Sequence, residues 1–219
     1  NSLISPILGP HAIYSMNLEQ LEETRKLANK NNVPLSIHLS ESQFENDFSN
    51  QNYGMTSIEA LESINFFNGA TIAAHVVWPS DKEIEILARK NVGVVHNPTS
   101  NMKLASGVAP ISKMIDAGVL IGLGTDGAAS NNDLDMWEEM RLASLLQKVT
   151  SMDPEVLSAI EVLRMATSNG AKIIGMEGEI GIIARGMKAD IIQIAYDDVH
   201  HAPSYDIASH LIYVTDEQD

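Results

Sequence analysis

The sequence predicts an α/β chain built from successive strand–helix units of a parallel barrel. Five apolar segments typical of β-strands each end on an ionisable residue, and these endings fall 27, 37, 21 and 30 positions apart. A strand, a loop and a returning helix take about 30 residues, so the spacing fits βα units. The endings are His11, His38, His75, His96 and Asp126. Because the carboxyl ends of parallel barrel strands meet at one mouth, we expect these side chains at one rim.

The strands and helices are predicted in alternation along the chain. The strands cover 3–11, 33–38, 70–75, 92–96 and 119–126. Asn17 with Gln20, Thr56 with Glu59 and Ser80 with Glu83 are cap pairs that open helices over 18–31, from 57 to about 67, and over 81–90. Further helices are predicted between Pro110 and Gly118, over 134–149, and from Asp153-Pro154 toward residue 167.

The pattern changes near residue 175, where we place a domain boundary. Residues 1–175 are predicted to form part of a barrel, and residues 176–219 part of a small β-rich domain. The segment GEIGIIARGMKADIIQIA (178–195) is typical of a glycine-turned hairpin.

Five strand–helix units do not close a barrel. A complete eight-stranded barrel takes about 250 residues, and here the five units end by about residue 150. Either the sheet stays open, or three units precede Asn1 in a longer protein. The abrupt start, on a strand already under way, favours the second alternative.

Composition excludes several classes of function. The chain has 219 residues, 44% of them hydrophobic, no cysteine and a net charge of −15. The absence of cysteine excludes disulfides and thiolate ligands and fits a cytoplasmic location. The acidic charge argues against nucleic acid or an anionic membrane as a partner. No stretch approaches the roughly 20 apolar residues of a membrane span.

Two carboxylates and several strand-end histidines are the candidates for chemistry. His38 and Glu41 share one loop, where imidazole suits a metal and the carboxylate can carry a proton. Asp126 ends a glycine-rich apolar strand, a costly place for a carboxylate unless it is paired or binds metal. His75 could bind a water or substrate, or be a core histidine. His11 could touch substrate or cap its loop.

The other histidines are read as structural. His96 begins His96-Asn97-Pro98, which predicts an ordered loop, and His96 and Asn101 are expected to shape the rim. His200 and His201 are adjacent and would point to opposite faces of a strand, so they cannot chelate one metal together.

Taken in order, these segments resemble the amidohydrolase superfamily, in the branch of 5-methylthioadenosine/S-adenosylhomocysteine deaminases and chlorohydrolases. The resemblance covers nearly the whole chain and implies the C-terminal portion of a metal-dependent (β/α)8 barrel. The matching segments are GPHAIYS (9–15), SIHLSES (36–42), AAHVVWP (73–79), HNPTSNMKLASGVAP (96–110), LGTDGAASNNDLDMWEEMRLASLLQK (123–148), ATSNGAKIIGM (166–176) and GIIARGMKADIIQI (181–194).

The resemblance implies hydrolytic removal of an amino group from a purine ring. His38 and Asp126 would bind one divalent metal, with zinc the default and iron, manganese or nickel as alternatives. Asp126 would also take a proton from the attacking water and contact substrate. Glu41 would contact substrate and protonate its ring nitrogen, His75 would orient the hydroxide, and His11 would contact the substrate. The partner implied is a small nucleoside-type molecule.

One departure from the family pattern leaves alternatives open. The family's first strand supplies a His-x-His pair to the metal, and this sequence contains none. A catalytic zinc normally has three protein ligands plus water, and only His38 and Asp126 are assigned here. The chain is therefore expected to be inactive as a fragment, and its open flank favours association into a homo-oligomer. The alternatives are a chlorohydrolase, a guanine deaminase, a catalytically silent barrel module and a flavodoxin-like binding protein.

Overall fold

In the computed structural model the described residues are 4–196, 199–216 and 218. The strands are β1 Leu35–Leu39, β2 Thr71–His75, β3 Gly93–His96 and β4 Leu120–Leu123. The helices are α1 Leu18–Asn31, α2 Gln43–Tyr53, α3 Ser57–Ser63, α4 Asp81–Arg89, α5 Pro98–Lys103, α6 Ile111–Asp116, α7 Ala128–Asn131, α8 Met136–Ser151, α9 Ala159–Arg164, α10 Gly170–Ile173 and α11 Ile207–Tyr213. A π-helical turn spans Met165–Asn169 and a 3-10 turn spans Val199–His201.

The strands form one sheet in the order β1-β2-β3-β4, so neighbours in space follow one another in the chain. The pairs β1–β2 and β2–β3 are parallel, with Leu39 opposite His75 and Ala73 opposite Val94. Each parallel pair is joined through helices, as a parallel connection requires. This confirms the predicted α/β class.

The described chain divides into two compact units. The first comprises Asn1–Val95 and Ala105–Leu120, and the second His96–Leu104 and Ile121–Asp219. No helix among the described residues has the length and apolar character needed to cross a membrane.

The first unit buries the apolar face of β1. Leu35, Ile37 and Leu39 are each at most 1% exposed and alternate with half-buried positions. Helix α1 also belongs to this unit and buries Leu21 and Ala28, each 0% exposed. Its predicted bounds, 18–31, are confirmed, because the Asn17–Gln20 cap pair forms a reciprocal capping box.

The second unit packs α8 against α9 and α11. Arg141 on α8 donates to the carbonyls of Ile212 and Thr215, at 3.3 and 2.8 Å. The Ser144 hydroxyl lies 2.6 Å from the Tyr213 hydroxyl. These contacts hold the C-terminal helix against the unit's longest helix.

The first predicted strand is reduced to a single bridge. Its first residue, Leu3, lies outside the described residues, and beyond it Leu8 pairs with Leu35. Ser36 donates to the Leu8 carbonyl, so the segment runs beside β1 without forming a continuous strand. Pro6 and Pro10 lack the backbone donors that a ladder needs.

Two local predictions in the second unit are wrong. The run after His96 is helix α5 rather than a loop, because Pro98 occupies the first helical turn, where its missing N–H costs nothing. The helix predicted from Asp153-Pro154 begins instead at Ala159. Ser158 and Glu161 form the capping box that sets this start.

The hairpin predicted over 178–195 does not form, since these residues carry no strand. A two-stranded hairpin is marginal without a packed apolar face or further strands. Here Ile183 and Ile192 are 85% and 73% exposed, so the segment has no such face. The boundary near residue 175 stays a prediction, and part of the predicted second domain lies outside the described residues.

Candidate active site

Three histidines cluster at strand ends in the first unit. The His38 ring centroid lies 4.9 Å from that of His11 and 5.6 Å from that of His75. The His38 and His75 rings stack with an interplanar angle of 21°. His38 is half-buried on β1 and His75 is 1% exposed at the end of β2. The structure therefore brings these three predicted site residues together.

The hydrogen bond of His38 defines which nitrogen is available for chemistry. Its Nδ1 lies 2.8 Å from the backbone carbonyl of His11. A carbonyl oxygen only accepts hydrogen bonds, so Nδ1 carries the proton. In a neutral imidazole, Nε2 then presents its lone pair to a metal or a proton.

His75 has a wider range of roles than the sequence suggests. His38 and His75 each offer a ring nitrogen, and these two atoms lie within 4.8 Å of one another. That separation suits two ligands of one metal ion. From the residues alone, His75 was expected to bind a water or substrate or to be a core histidine, and the family resemblance implied that it orients the hydroxide.

Glu41 lies on the loop after β1, and a buried glutamate holds the backbone of that loop. The Ser40 N–H donates to Glu45 Oε1 at 2.7 Å, and the Glu41 N–H donates to Glu45 Oε2 at 3.0 Å. The Ser106 hydroxyl lies 3.5 Å from Glu41 Oε1. Glu41 itself is half-buried, so its carboxylate remains accessible.

Burial raises the pKa of Glu45, whose side chain is 0% exposed. The backbone hydrogen bonds from Ser40 and Glu41 oppose this shift, because they favour the charged form. Burial also raises the pKa of Tyr14, and the negative charges of Glu41 and Glu45 raise it further. The loop after β1 is thus a region of concentrated negative charge.

Asp126 lies after β4 in the second unit, and two serines orient its carboxylate. Ser100 and Ser130 both donate to its Oδ2 atom, at 2.7 and 2.6 Å. Two hydrogen bonds to one oxygen fix the plane of the carboxylate. This is the arrangement expected of a group that must meet a ligand in one orientation.

A second buried glutamate braces the segments around Asp126. Glu139 on α8 accepts the Thr99 N–H at 3.1 Å and the Asn131 side-chain N–H at 2.7 Å. Asn131 also donates to the Thr125 carbonyl at 2.8 Å, next to Asp126 in the chain. Burial raises the pKa of Glu139, against the hydrogen bonds that Thr99 and Asn131 donate.

Several residues of the site hold a left-handed backbone conformation. The φ angles are +49° at Ser40, +74° at His75, +46° at Val76 and +61° at Asp126. Side chains other than glycine adopt this region at an energetic cost, and such residues cluster at functional sites. One candidate carboxylate, Asp126, and one candidate histidine, His75, have this strained backbone, which supports their assignment to the site.

Three of the remaining histidines, His96, His201 and His210, are buried within the second unit, whereas His200 is exposed. His96 and Asn101 are each 1% exposed, and the His96 carbonyl accepts the Gly124 N–H at 3.0 Å. His201 and His210 are 3% and 7% exposed, with Nδ1 of the first 2.8 Å from Nε2 of the second. These positions fit the structural interpretation.

Comparison with known proteins supplies the family. The model of the amidohydrolase family matches residues 1–218. The chain belongs to this family. Its α/β class and its likeness to the deaminase and chlorohydrolase branch, both predicted from sequence, are confirmed.

Curated amidohydrolase relatives are similar over about half of their own length. The 5-methylthioadenosine/S-adenosylhomocysteine deaminase of Carboxydothermus hydrogenoformans is 49% identical over 97% of this chain and 49% of that protein. The 5'-deoxyadenosine deaminase of Methanococcoides burtonii is 46% identical over 96% of this chain and 48% of that protein.

A solved structure of similar fold is an adenosine deaminase from Xanthomonas campestris with bound zinc. It superposes with a TM-score of 0.96 and 37% identity, over 99% of this chain and 49% of that one. The chain therefore spans about half the length of the amidohydrolases it matches.

Sequence reasoning missed the residues that hold the candidate groups in place. Glu45, Ser100, Ser130 and Glu139 act through hydrogen bonds whose partners lie 4 to 40 positions away. Glutamate and serine are common at helix starts and on surfaces. No local sequence pattern therefore distinguishes these four residues from solvent-exposed glutamates and serines. Only their burial and partners identify them.

Proposed function

We propose that this chain supplies catalytic residues of a metal-dependent aminohydrolase acting on an adenosine-type thioether, such as 5-methylthioadenosine or S-adenosylhomocysteine. The observation that carries the proposal is the geometry of His38 on β1, whose Nε2 presents a lone pair beside His75 and three residues before Glu41. The 49% identity to a deaminase of these thioethers favours this substrate class.

The donor set in the first unit fits a divalent metal. His38 offers Nε2, and His75 offers a second ring nitrogen within reach of the same ion. We propose that His38 and Asp126 hold the metal and that His75 is a candidate for the third ligand of a usual catalytic zinc site. When bound, zinc lowers the pKa of a coordinated water to about 7. Iron, manganese and nickel suit the same ligands.

The residues of this chain divide the proton transfers between two carboxylates. Asp126, held through Oδ2 by Ser100 and Ser130, accepts a proton from the attacking water at its other oxygen. Glu41 delivers a proton to the ring nitrogen beside the attacked carbon. Water adds to the carbon that bears the amino group. The proton held by Asp126 then passes to the amino group, which leaves as ammonia when the C–N bond breaks, and the hydroxyl proton of the adduct returns to Glu41 as the carbonyl forms. Positioned carboxylates contribute about 10²- to 10⁴-fold to such steps.

His11 and Tyr14 are proposed to face the substrate. The His11 side chain is exposed, with Nδ1 2.9 Å from the Ser15 hydroxyl and its ring edge-on to Tyr14 at 5.5 Å. An exposed imidazole beside a half-buried phenol presents both aromatic surface and polar atoms. Such a pair can stack on a nucleoside and hydrogen-bond to it.

We also propose that the 219-residue chain is inactive when separated from the rest of a longer amidohydrolase. The relatives it matches are about twice its length, and the sequence has no His-x-His pair. A competing function, a silent barrel module that serves only folding or assembly, rests on the same missing pair. Metal content distinguishes the two.

The first experiment measures metal per chain and then deamination. The purified protein is supplied with zinc, analysed for bound metal, and assayed with 5-methylthioadenosine, S-adenosylhomocysteine, 5'-deoxyadenosine, guanine and a chlorinated triazine. In the longer protein we expect ammonia release from the adenosine compounds and loss of metal in His38→Ala, whereas the separate 219-residue chain should release none. His200→Ala is the control, since His200 is exposed and outside the proposed site. Preference of the longer protein for the triazine, or its failure to bind metal, would refute the proposal.

A further inference from the structure

We propose that Glu45 is a positioning residue that holds Glu41 in place for proton transfer, by binding the consecutive backbone N–H groups of Ser40 and Glu41. The inference rests on the proposed function of Glu41 as proton donor. It adds a second carboxylate to that step, one that never contacts substrate.

Glu45 departs from the capping pattern that its sequence predicts. Ser42 and Glu45 have the spacing of a capping box, in which the glutamate binds the N–H of the cap residue. Ser42 does cap α2 by accepting the Glu45 N–H. The Glu45 carboxylate, however, binds the N–H groups of Ser40 and Glu41, which precede the cap.

The chain contains internal comparisons for this departure. The cap pairs Thr56–Glu59, Ser80–Glu83 and Ser158–Glu161 all form reciprocal capping boxes. The four pairs share the same spacing and chemistry, so the sequence alone gives Glu45 no reason to differ. Its carboxylate binds instead to the loop of Glu41, one of the two candidate catalytic carboxylates.

The diversion is accompanied by complete burial. Glu45 is 0% exposed, whereas a capping glutamate can do its work at the surface, as Glu59 does with its side chain 30% exposed. Burying a carboxylate costs free energy unless hydrogen bonds compensate, and the Ser40 and Glu41 N–H groups supply that compensation. A buried anion with two fixed donors leaves the loop little freedom.

The loop is fixed from its other side as well. The Ser40 carbonyl accepts the N–H groups of Val77 and Trp78, at 2.9 and 3.0 Å, and the Ser40 hydroxyl accepts from Asn46 at 3.2 Å. Val77 and Trp78 follow His75 in the chain. Glu45 thus closes a network that ties the loop of Glu41 to the loop of His75.

The test uses Glu45→Gln, with Glu83→Gln as the matched control. Glutamine keeps the size of glutamate but replaces one carboxylate oxygen with an NH2 group, which cannot accept the N–H group that this oxygen bound. Glu83 is equally buried, at 1% exposed, and its Oε2 accepts both the N–H and the hydroxyl of Ser80. Glu83→Gln therefore removes a buried charge away from Glu41, while its one amide oxygen can keep both contacts with Ser80.

Amide hydrogen exchange tests whether Glu45 holds the backbone of Ser40 and Glu41, without any need for turnover. We expect the amide protons of Ser40 and Glu41 to exchange at least about tenfold faster in Glu45→Gln, which corresponds to 1.4 kcal/mol of lost protection. In Glu83→Gln these two amides should be unchanged. Unchanged exchange in a folded Glu45→Gln protein would overturn the inference, whatever the outcome for the proposed function.

Kinetics then separate positioning from general stability. In the metal-loaded longer protein that contains this chain, we expect Glu45→Gln to lower kcat by about 100-fold with little change in KM, the scale of a misplacement of about 1 Å. Added to Glu41→Gln, it should lower kcat by less than about twofold, because its effect acts through Glu41. A full further loss in the double variant would contradict positioning. If the parent protein releases no ammonia, the proposed function fails, while the exchange result stands by itself.

Discussion

Two fully buried glutamates, one in each unit, brace the segments around the two candidate carboxylates in different ways. Glu45 binds two consecutive backbone N–H groups, one of them that of Glu41 itself. Glu139 binds one backbone N–H, of Thr99, and reaches the neighbourhood of Asp126 through the Asn131 side chain. Burial raises the pKa of both.

The difference teaches how directly a buried charge controls a neighbouring group. A carboxylate that binds the backbone N–H of the functional residue is linked to that residue directly. The only torsions left to adjust are those within the functional residue itself. A contact through Asn131 includes two side chains, whose torsions can absorb a change. We therefore expect substitutions at Glu45 to be more costly for function than the same substitutions at Glu139.

The largest loss of turnover is expected for substitution of Asp126, the candidate carboxylate whose surroundings Glu139 braces indirectly. Asp126→Ala removes a proposed metal ligand and base together, so turnover should fall by about 10³-fold or more. Ammonia release and metal content are measured on the same preparation. The matched control is Asp133→Ala, an exposed aspartate of the same loop region. Near-normal turnover of Asp126→Ala would refute its assignment.

The next effect is expected at Glu41, the residue that Glu45 holds. Glu41→Gln should lower turnover by about 10²- to 10³-fold while leaving bound metal unchanged, because Glu41 carries a proton and is not proposed as a ligand. Elemental analysis and the deaminase assay are compared directly. Metal lost in proportion to activity would mean that Glu41 is a ligand instead.

A smaller effect is expected at Glu139. Glu139→Gln keeps one oxygen for Asn131 or for Thr99, and the loss in turnover should be about tenfold, at the low end for residues that orient a ligand. Measured beside Glu45→Gln at equal metal loading, it ranks the two braces. A loss at Glu139 as large as that at Glu45 would show that an indirect brace is as strict as a backbone one.

The smallest effect concerns the pH dependence of stability. Because the folded pKa of Glu45 lies above its ordinary value of 4.5, the folded state binds more protons in that window. Stability therefore declines as pH rises from 4.5 through the folded pKa, and Glu45→Gln should flatten this decline. Thermal unfolding of both proteins between about pH 4 and pH 7 measures it.

Glu59 provides a control of opposite sign. Its hydrogen bond with Lys82 lowers its pKa below 4.5. Its stabilisation is present above pH 4.5 and is lost as pH falls through the folded pKa, so Glu59→Gln should reduce stability at neutral pH. If Glu45→Gln and Glu59→Gln changed the pH profile in the same direction, the burial of Glu45 would not explain its shift.

Local signals in the sequence were sufficient for the elements that carry the site. The ends of β1, β2 and β3 and the bounds of α1 were predicted within one or two residues, because strand alternation and cap pairs act between near neighbours. The strand-end residues His11, His38 and His75 were predicted to converge and do so. The hairpin over 178–195 was wrong, because a strand needs a partner that local sequence does not supply.

The sequence by itself determined the α/β class, the family and the candidate groups, since each follows from residue order and short-range pattern. Only the tertiary structure decided how those groups are held. Ser42–Glu45 and Ser80–Glu83 are equivalent in sequence. The Glu83 carboxylate caps its own helix, whereas the Glu45 carboxylate binds the loop of Glu41. The choice depends on where the backbone of Ser40 turns, at φ +49°, which is fixed by contacts with residues far along the chain.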